Sequence, residues 1–267
     1  AARALSLIAM MMALAPAIAP AMGGVMMLWL PWPSIFVFLA VYGIAMIMLI
    51  HVFLGESLPQ RQSLHPLSIL VNYGTLLRSP MFLIATFASG FVYAGFLAYL
   101  ASSSFVYIDM LGVPVEYFGL TFITSVLGYM AGSGLSARLT KNYTSEQMVL
   151  AGAAIAAVAA GTVWMGAKLL PDSITVMMIP MMFYSLGIGL ILPNAMAIAL
   201  SPFPYIAGTA SALLGFVQMS LSAFATAIVG NYLVDSPAPV LNFMLAISGF
   251  ALLLSMVLFR VRTHPKP

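Results

Sequence analysis

Charged side chains are scarce in this chain. Lysine and arginine supply nine of its 267 residues and aspartate and glutamate six, so only 6% of the chain is charged. A soluble domain carries about a quarter of its residues as charged side chains. All four residue types are absent from six stretches: 4–55, 79–108, 117–137, 147–167, 173–234 and 236–259. A charge-free apolar stretch of roughly 20 residues is long enough to cross a bilayer as a helix, so we predict a multi-spanning membrane protein.

Cysteine is absent altogether, which excludes disulfides, thiol catalysis and thiolate metal sites. The three histidines, His51, His65 and His264, fall near the ends of apolar stretches or in loops, so no metal site is expected. A membrane enzyme would need paired aspartates, a histidine cluster or a Ser–Lys arrangement within the apolar stretches, and none is present. We therefore expect no enzyme and no cofactor. The net charge of +3 indicates no nucleic-acid partner.

Apolar residues make up 63% of the chain. Within hydrocarbon, backbone groups must bond inside one helix or inside a closed barrel. Barrel strands alternate apolar and polar residues over about 10 positions, whereas these runs are apolar on all sides. The fold class is therefore an all-α membrane protein. Proline ends helices, so Pro31-Trp32-Pro33 and Pro202-Phe203-Pro204 divide the two longest stretches. The predicted spans are 4–28, 34–54, 81–104, 117–137, 147–167, 174–200, 206–232 and 239–259.

The distribution of basic residues predicts the orientation, because cytoplasmic loops collect Lys and Arg. When the loops are numbered alternately, the second side holds Lys168 with Asp109, Glu116, Asp172 and Asp235. The first side holds Arg3, Arg61, Arg78, Arg138, Lys141, Arg260, Arg262 and Lys266. We predict that the first side is cytoplasmic and that both ends of the chain lie there. Five aromatic residues are expected at the outer interface: Trp29, Trp32, Tyr107, Tyr117 and Tyr232.

The long loop 55–79 divides the chain unequally, with two spans before it and six after it. Apolar residues at helical spacing in 67–77 predict an amphipathic helix on the membrane surface. Six helices after a long cytoplasmic linker are typical of one half of a two-bundle transporter. We predict the last two helices of an N-terminal bundle in 1–54, a linker in 55–79 and a six-helix C-terminal bundle in 80–267. The chain begins without methionine, so we expect a piece of a longer protein that lacks four N-terminal helices.

The first span contains the run ALAPAIAPAMGG at residues 13–24. Small side chains allow membrane helices to approach closely, and prolines bend a helix. From the residues alone, we predict a kinked helix that packs closely against neighbouring helices. The run also resembles the antiporter signature of drug-exporting major facilitator transporters. The resemblance assigns helix packing and kinking to Pro16, Ala19, Pro20, Gly23 and Gly24, with alanine at position 19 where the signature has glycine.

Further segments resemble the same transporters in chain order. Residues 117–133 begin with Tyr117-Phe118-Gly119 and lead into the run GLSARL at 134–139. This run resembles the second copy of the facilitator loop motif. Ala137 stands at the position where that motif has an acidic residue. Residues 187–195 and 203–218 resemble helices ten and eleven. The set is similar to the Bcr/CflA drug-resistance family, as helices five to twelve of twelve. The resemblance implies a major facilitator-type bundle in the inner membrane that exchanges drugs or antibiotics for protons.

Polar side chains on three spans are the candidate substrate contacts. They follow three helical stripes: 95, 99 and 102; 184, 187, 191 and 194; and 211, 215, 218 and 222. From the residues alone, each polar group either lines a cavity or bonds to a neighbouring helix, and the glycines indicate packing seams. In facilitator transporters the corresponding helices line the central cavity. The resemblance therefore implies substrate contacts at Tyr93, Tyr99, Tyr184, Asn194 and Gln218.

An uncharged cavity of this kind predicts a small, hydrophobic, drug-like substrate. A proton antiporter also needs a carboxylate that changes protonation within the membrane, and no predicted span contains one. The resemblance places such acids on the first helices, so we expect proton coupling through the missing part, with the proton gradient as the energy source. The alternatives are a carrier for a small neutral metabolite and a non-transporting membrane scaffold. We expect a monomer in the lipid bilayer.

Overall fold

The computed structural model describes residues 22, 23 and 26 and the ranges 29–54, 66–232 and 237–263. Regular structure in these residues is helical throughout, in agreement with the predicted fold class. The helices are α1 (Pro33–Phe53), α2 (Pro66–Leu77), α3 (Pro80–Ser104), α4 (Val115–Phe118), α5 (Thr121–Leu139), α6 (Ser145–Leu169), α7 (Ile174–Leu200), α8 (Ala207–Tyr232) and α9 (Ala238–Thr263). A π-helical segment, Phe105–Met110, continues α3, and a short 3-10 segment, Pro204–Ile206, leads into α8.

Seven of the eight predicted spans correspond to α1, α3 and α5–α9, with ends that differ by a few residues. The first predicted span, 4–28, lies almost wholly outside the described residues. Six helical segments of the described chain are long and apolar enough to cross a membrane, namely α1, α3 with its π-helical segment, α6, α7, α8 with its 3-10 segment, and α9. Helix α5 corresponds to the remaining predicted span. It has 19 residues but is less apolar because of its hydroxyl residues and Arg138. A helix, α2, also forms where the loop pattern predicts one.

Local sequence signals explain where several helices begin. Proline occupies the first turn of α1 and of α3, where its missing N–H removes no helical hydrogen bond. The Ser79 hydroxyl accepts a hydrogen bond from the Phe82 amide and caps α3. Thr144 and Gln147 form a capping box at the start of α6, in which each side chain accepts a hydrogen bond from the other residue's backbone amide. Such caps satisfy amides that have no partner within the helix.

Helices α3 and α5–α9 share one core, in which α3 and α7 are the central members. Helix α3 packs against α7, α8 and α9, while α7 packs between α5 and α6 and α9 also packs on α6. More than half of the most apolar window of α3 and of α7, 56% in each, is buried. No residue of α1 is buried. The division between a two-helix part and a six-helix bundle at 55–79 stays a prediction.

Glycine allows very close contact on two sides of α7. A Cβ atom added to Gly128 or Gly132 of α5 would overlap the carbonyl groups of Met182 and Leu186. On the other side, a Cβ added to Gly187 would lie 2.6 Å from the carbonyl oxygen of Gly152 in α6. Helices in lipid associate largely by such close packing. Of the glycines in the predicted stripes, Gly187 lies in such a packing seam, whereas a Cβ added to Gly215 would have no atom within 4 Å.

Two side chains lie in surroundings that the sequence does not indicate. Tyr107 is expected at the outer interface but is 2% exposed, because the π-helical segment extends α3 and turns this ring into the core. Glu146 is also buried, with 4% exposure, in the first turn of α6. The predicted span begins one residue later. Trp29, Trp32 and Tyr117 are well exposed, as an interfacial position requires.

Candidate substrate site

Tyr184 lies in the core of the bundle, at the junction of three helices. Its hydroxyl donates a hydrogen bond to the carbonyl oxygen of Val92 in α3, at 2.9 Å. The same hydroxyl shares a hydrogen bond with Ser248 Oγ of α9, at 3.1 Å. Gly95 is adjacent, and a Cβ there would lie 2.6 Å from the Tyr184 hydroxyl oxygen. With 0% exposure, Tyr184 joins α7 to α3 and α9 and presents no group to a ligand in this conformation.

Asn194 makes a similar connection between α7 and α5. Its Nδ2 donates hydrogen bonds to Ser136 Oγ at 2.7 Å and to the Leu190 carbonyl oxygen at 2.8 Å. The residue is fully buried, and its Oδ1 has no hydrogen-bond partner among the described residues. Of the two interpretations open for Asn194, the structure shows the interhelical hydrogen bond.

Tyr99 bonds to Tyr107 across the junction of α3 and its π-helical segment. The two hydroxyl oxygens lie 2.7 Å apart, and the rings meet edge to face with centroids 6.4 Å apart. Both rings are buried. One phenol thus donates a hydrogen bond to the other inside the bundle, and neither is open to a ligand in this conformation.

Gln218 differs from these three because it is only half-buried. Its Nε2 donates a hydrogen bond to Ser89 Oγ at 3.0 Å, which connects α8 to α3. Ser89 in turn donates to backbone carbonyls of its own helix, so its hydroxyl is satisfied. Within the described part of the chain, the amide oxygen of Gln218 takes part in none of the hydrogen bonds. A fixed amide with an available oxygen can accept a hydrogen bond from a ligand.

Tyr93 is the second half-buried member of the predicted set. Tyr129 of α5 is also half-buried. Sequence reasoning overlooked Tyr129, although it stands between the packing glycines 128 and 132 and must therefore lie near α7. Tyr93 of α3, Tyr129 of α5 and Gln218 of α8 are each only half-buried. The role of all five predicted residues in substrate binding stays a prediction.

The antiporter-like run falls mostly outside the described residues. Pro16, Ala19, Pro20 and Gly24 are not described. Gly23 is described, and a Cβ added to it would have no atom within 4 Å. The packing role of this run stays a prediction.

Long apolar helices around a shared core define a multi-pass α-helical membrane protein. The sequence profile described as Major Facilitator Superfamily matches residues 1–227. The chain belongs to that superfamily.

Three bacterial relatives align with nearly all of the chain. An uncharacterized MFS-type transporter, YdgK of Bacillus subtilis, is 30% identical over 250 residues, which cover 91% of this chain and 62% of YdgK. A bicyclomycin resistance protein homolog of Haemophilus influenzae is 29% identical, over 90% of this chain and 60% of its own length. The multidrug resistance protein MdtL of Vibrio parahaemolyticus is 30% identical over 280 residues, which cover 100% of this chain and 65% of MdtL. The chain thus spans about three fifths of the length of these relatives.

Proposed function

We propose that this chain belongs to a bacterial inner-membrane exporter that exchanges small, mostly apolar drugs for protons. The observation that carries the proposal is the available amide oxygen of Gln218, held in place by its bond to Ser89 on a half-buried, uncharged part of the bundle. Neutral hydrogen-bonding and aromatic groups favour neutral or weakly charged hydrophobic ligands. The names of the relatives, which refer to bicyclomycin resistance and multidrug resistance, support the same substrate class.

In this proposal Gln218 and Tyr93 bind the substrate, while Tyr184, Asn194 and Tyr99 position the helices that carry them. Transport follows from rocking of one bundle against the other about a site near the membrane midplane. The proton-exchanging carboxylate is assigned to a part of the protein outside these 267 residues. Glu146 is a poor candidate for that role because it lies in the first turn of α6, at one end of its span rather than near the middle.

The test is to express the complete open reading frame that contains this sequence in an efflux-deficient bacterial strain. Drug export by these cells is then measured. We expect increased resistance to bicyclomycin and export of the neutral drug chloramphenicol that stops when a protonophore collapses the gradient. Gln218→Leu should weaken export because a lost neutral hydrogen bond costs about 1 kcal/mol, roughly fivefold in affinity. Met219→Leu is the matched control, since Met219 is exposed beside Gln218 on α8.

Unchanged susceptibility together with accumulation of a nutrient would contradict drug export and favour the neutral-metabolite carrier. Export that persists after the proton gradient has collapsed would contradict proton coupling alone. Equal export by the Gln218→Leu and Met219→Leu variants would show that Gln218 does not bind the substrate.

A further inference from the structure

Helix α3 packs against three neighbouring helices, and its contacts show which side each neighbour occupies. The carbonyl oxygen of Val92 accepts a hydrogen bond from α7, so α7 lies on the Val92 side. The ring of Phe91 meets the ring of Phe250 edge to face, with centroids 5.2 Å apart, so α9 lies on the Phe91 side. A Cβ atom added to Gly90 would lie 2.9 Å from the Leu221 side chain of α8. Each neighbour thus faces a different side of α3.

The remaining side of α3 carries Ser89, Tyr93, Phe96 and Leu100. Successive residues of an α-helix lie about 100° apart, so these four side chains fall within about 60° of one another, between the sides that face α7 and α8. Tyr93, Phe96 and Leu100 are each half-buried. The side chains that face α7 and α9 along the same part of the helix are buried: 92, 95, 98, 99 and 102. This fourth side, here called the open side of α3, is therefore less tightly enclosed than the others.

The open side of α3 begins at the amide to which the proposed function assigns the substrate. Gln218 of α8 donates a hydrogen bond to Ser89, and its amide oxygen can accept one from a ligand. Between Ser89 and Phe96 the helix rises by about 10 Å, and Tyr93 lies between them. A hydrogen-bond acceptor and two aromatic rings are therefore arranged in a row that is roughly as long as a small drug molecule.

Phe96 adds to this row a ring without a polar group. Part of the ring packs against the hydrophobic core, which holds it in place, and the half-buried side chain leaves the other part open to a ligand. Aromatic rings attract one another beyond the area that they bury, in stacked or edge-to-face pairs. Helix α3 contains no charged residue. These features fit a neutral ligand that carries an aromatic ring at one end and a hydrogen-bond donor at the other.

We propose that Phe96 is a specificity-determining residue, which makes the site prefer neutral compounds with an aromatic ring over neutral compounds of similar size without one. The substrate ring lies against Phe96 and Tyr93, and its hydrogen-bond donor binds the amide oxygen of Gln218. The inference rests on the proposed export of drugs and names the substrate class of the same site.

The test compares two neutral drugs that differ in aromatic character. Chloramphenicol carries a nitrophenyl ring and hydrogen-bond donors, whereas bicyclomycin carries donors but no aromatic ring. The dissociation constant of each drug is measured by equilibrium dialysis with the complete protein, purified in detergent. Phe96→Leu keeps an apolar side chain but removes the ring, so it should weaken binding of chloramphenicol roughly fivefold more than binding of bicyclomycin. Phe96→Tyr keeps the ring and should retain most of the affinity for chloramphenicol.

Phe87→Leu is the matched control, because Phe87 is a half-buried phenylalanine of the same helix. Its ring stacks on Phe91, on the side that faces α9, with centroids 5.9 Å apart. This variant should leave the ratio of the two dissociation constants unchanged. If the unaltered protein binds both drugs and Phe96→Leu gives the same ratio as Phe87→Leu, this inference alone is overturned. An unaltered protein that binds neither drug would overturn the proposed function and this inference with it.

Discussion

At the scale of single residues, the Tyr184 hydroxyl offers a measurable contribution to stability. Replacing Tyr184 with phenylalanine keeps the buried ring but removes the hydrogen bonds to Val92 and Ser248. Interhelical hydrogen bonds in membrane proteins contribute about 0.6 kcal/mol on average, and buried ones in soluble proteins about 1 kcal/mol. We expect Tyr184→Phe to lower the free energy of unfolding by about 1 kcal/mol, measured by SDS titration of the purified chain.

Tyr143→Phe is the matched control for this substitution. Tyr143 is 52% exposed and lies between α5 and α6, so losing its hydroxyl should change stability little. If both variants unfold at the same SDS concentration, the hydroxyl of Tyr184 does not hold the three helices together.

The sequence identified which polar residues matter more reliably than it identified their partners. A polar side chain on an apolar helix must find a hydrogen bond, so Asn194, Tyr184 and Gln218 stood out. Their partners Ser136, Val92 and Ser89 lie 58, 92 and 129 residues away. Only the three-dimensional packing brings these groups together, and it decides between a ligand contact and an interhelical bond.

At the scale of helices, the glycine contacts between α5 and α7 predict a strong effect of a single methyl group. Gly132→Ala places a Cβ against the Leu186 carbonyl, and because that neighbour is backbone it cannot rotate away. Overpacking of this kind costs about 1–3 kcal/mol. We expect Gly132→Ala to lower the thermal unfolding temperature of the purified chain in detergent.

Gly249→Ala in α9 serves as the control, because a Cβ there would have no atom within 4 Å. Alanine is a better helix former than glycine by roughly 0.5–1 kcal/mol, so this variant should be as stable as the unaltered chain or slightly more so. A Gly132→Ala chain that is as stable as Gly249→Ala would show that α5 and α7 are farther apart than described.

The positions of helices such as α1 and α8 could be predicted closely from the absence of charged residues and from proline, because both signals act locally. The continuation of α3 through residues 105–110 did not follow, because a π-helical segment depends on the partners that its side chains find, here Tyr107 with Tyr99. Glu146 was missed because a charged residue was taken as the end of a span.

At the scale of the whole molecule, the alternation of crossings is open to direct measurement. The chain contains no cysteine, so a single introduced thiol reports on one position without background. In right-side-out membrane vesicles, Pro171→Cys between α6 and α7 should react with an impermeant maleimide. Asn142→Cys between α5 and α6 should react only after permeabilisation, because the basic residues Arg138 and Lys141 predict a cytoplasmic position for that loop. Both wild-type side chains are exposed.

Equal labelling of the two positions in sealed vesicles, or the reverse pattern, would contradict the orientation predicted from the basic residues. The overall class of the protein could be predicted because composition alone excludes a soluble fold. The assignment of 1–54 and 80–267 to different bundles rests on a loop length and on a resemblance, and the exposed α1 is compatible with it.

The glycine contacts on both sides of α7 have a mechanical consequence. Where backbone touches backbone there is no clearance, so α7 cannot slide along α5 or α6 without collision. We therefore expect these three helices to move together as one rigid unit. The rocking motion proposed above would then carry the three helices together.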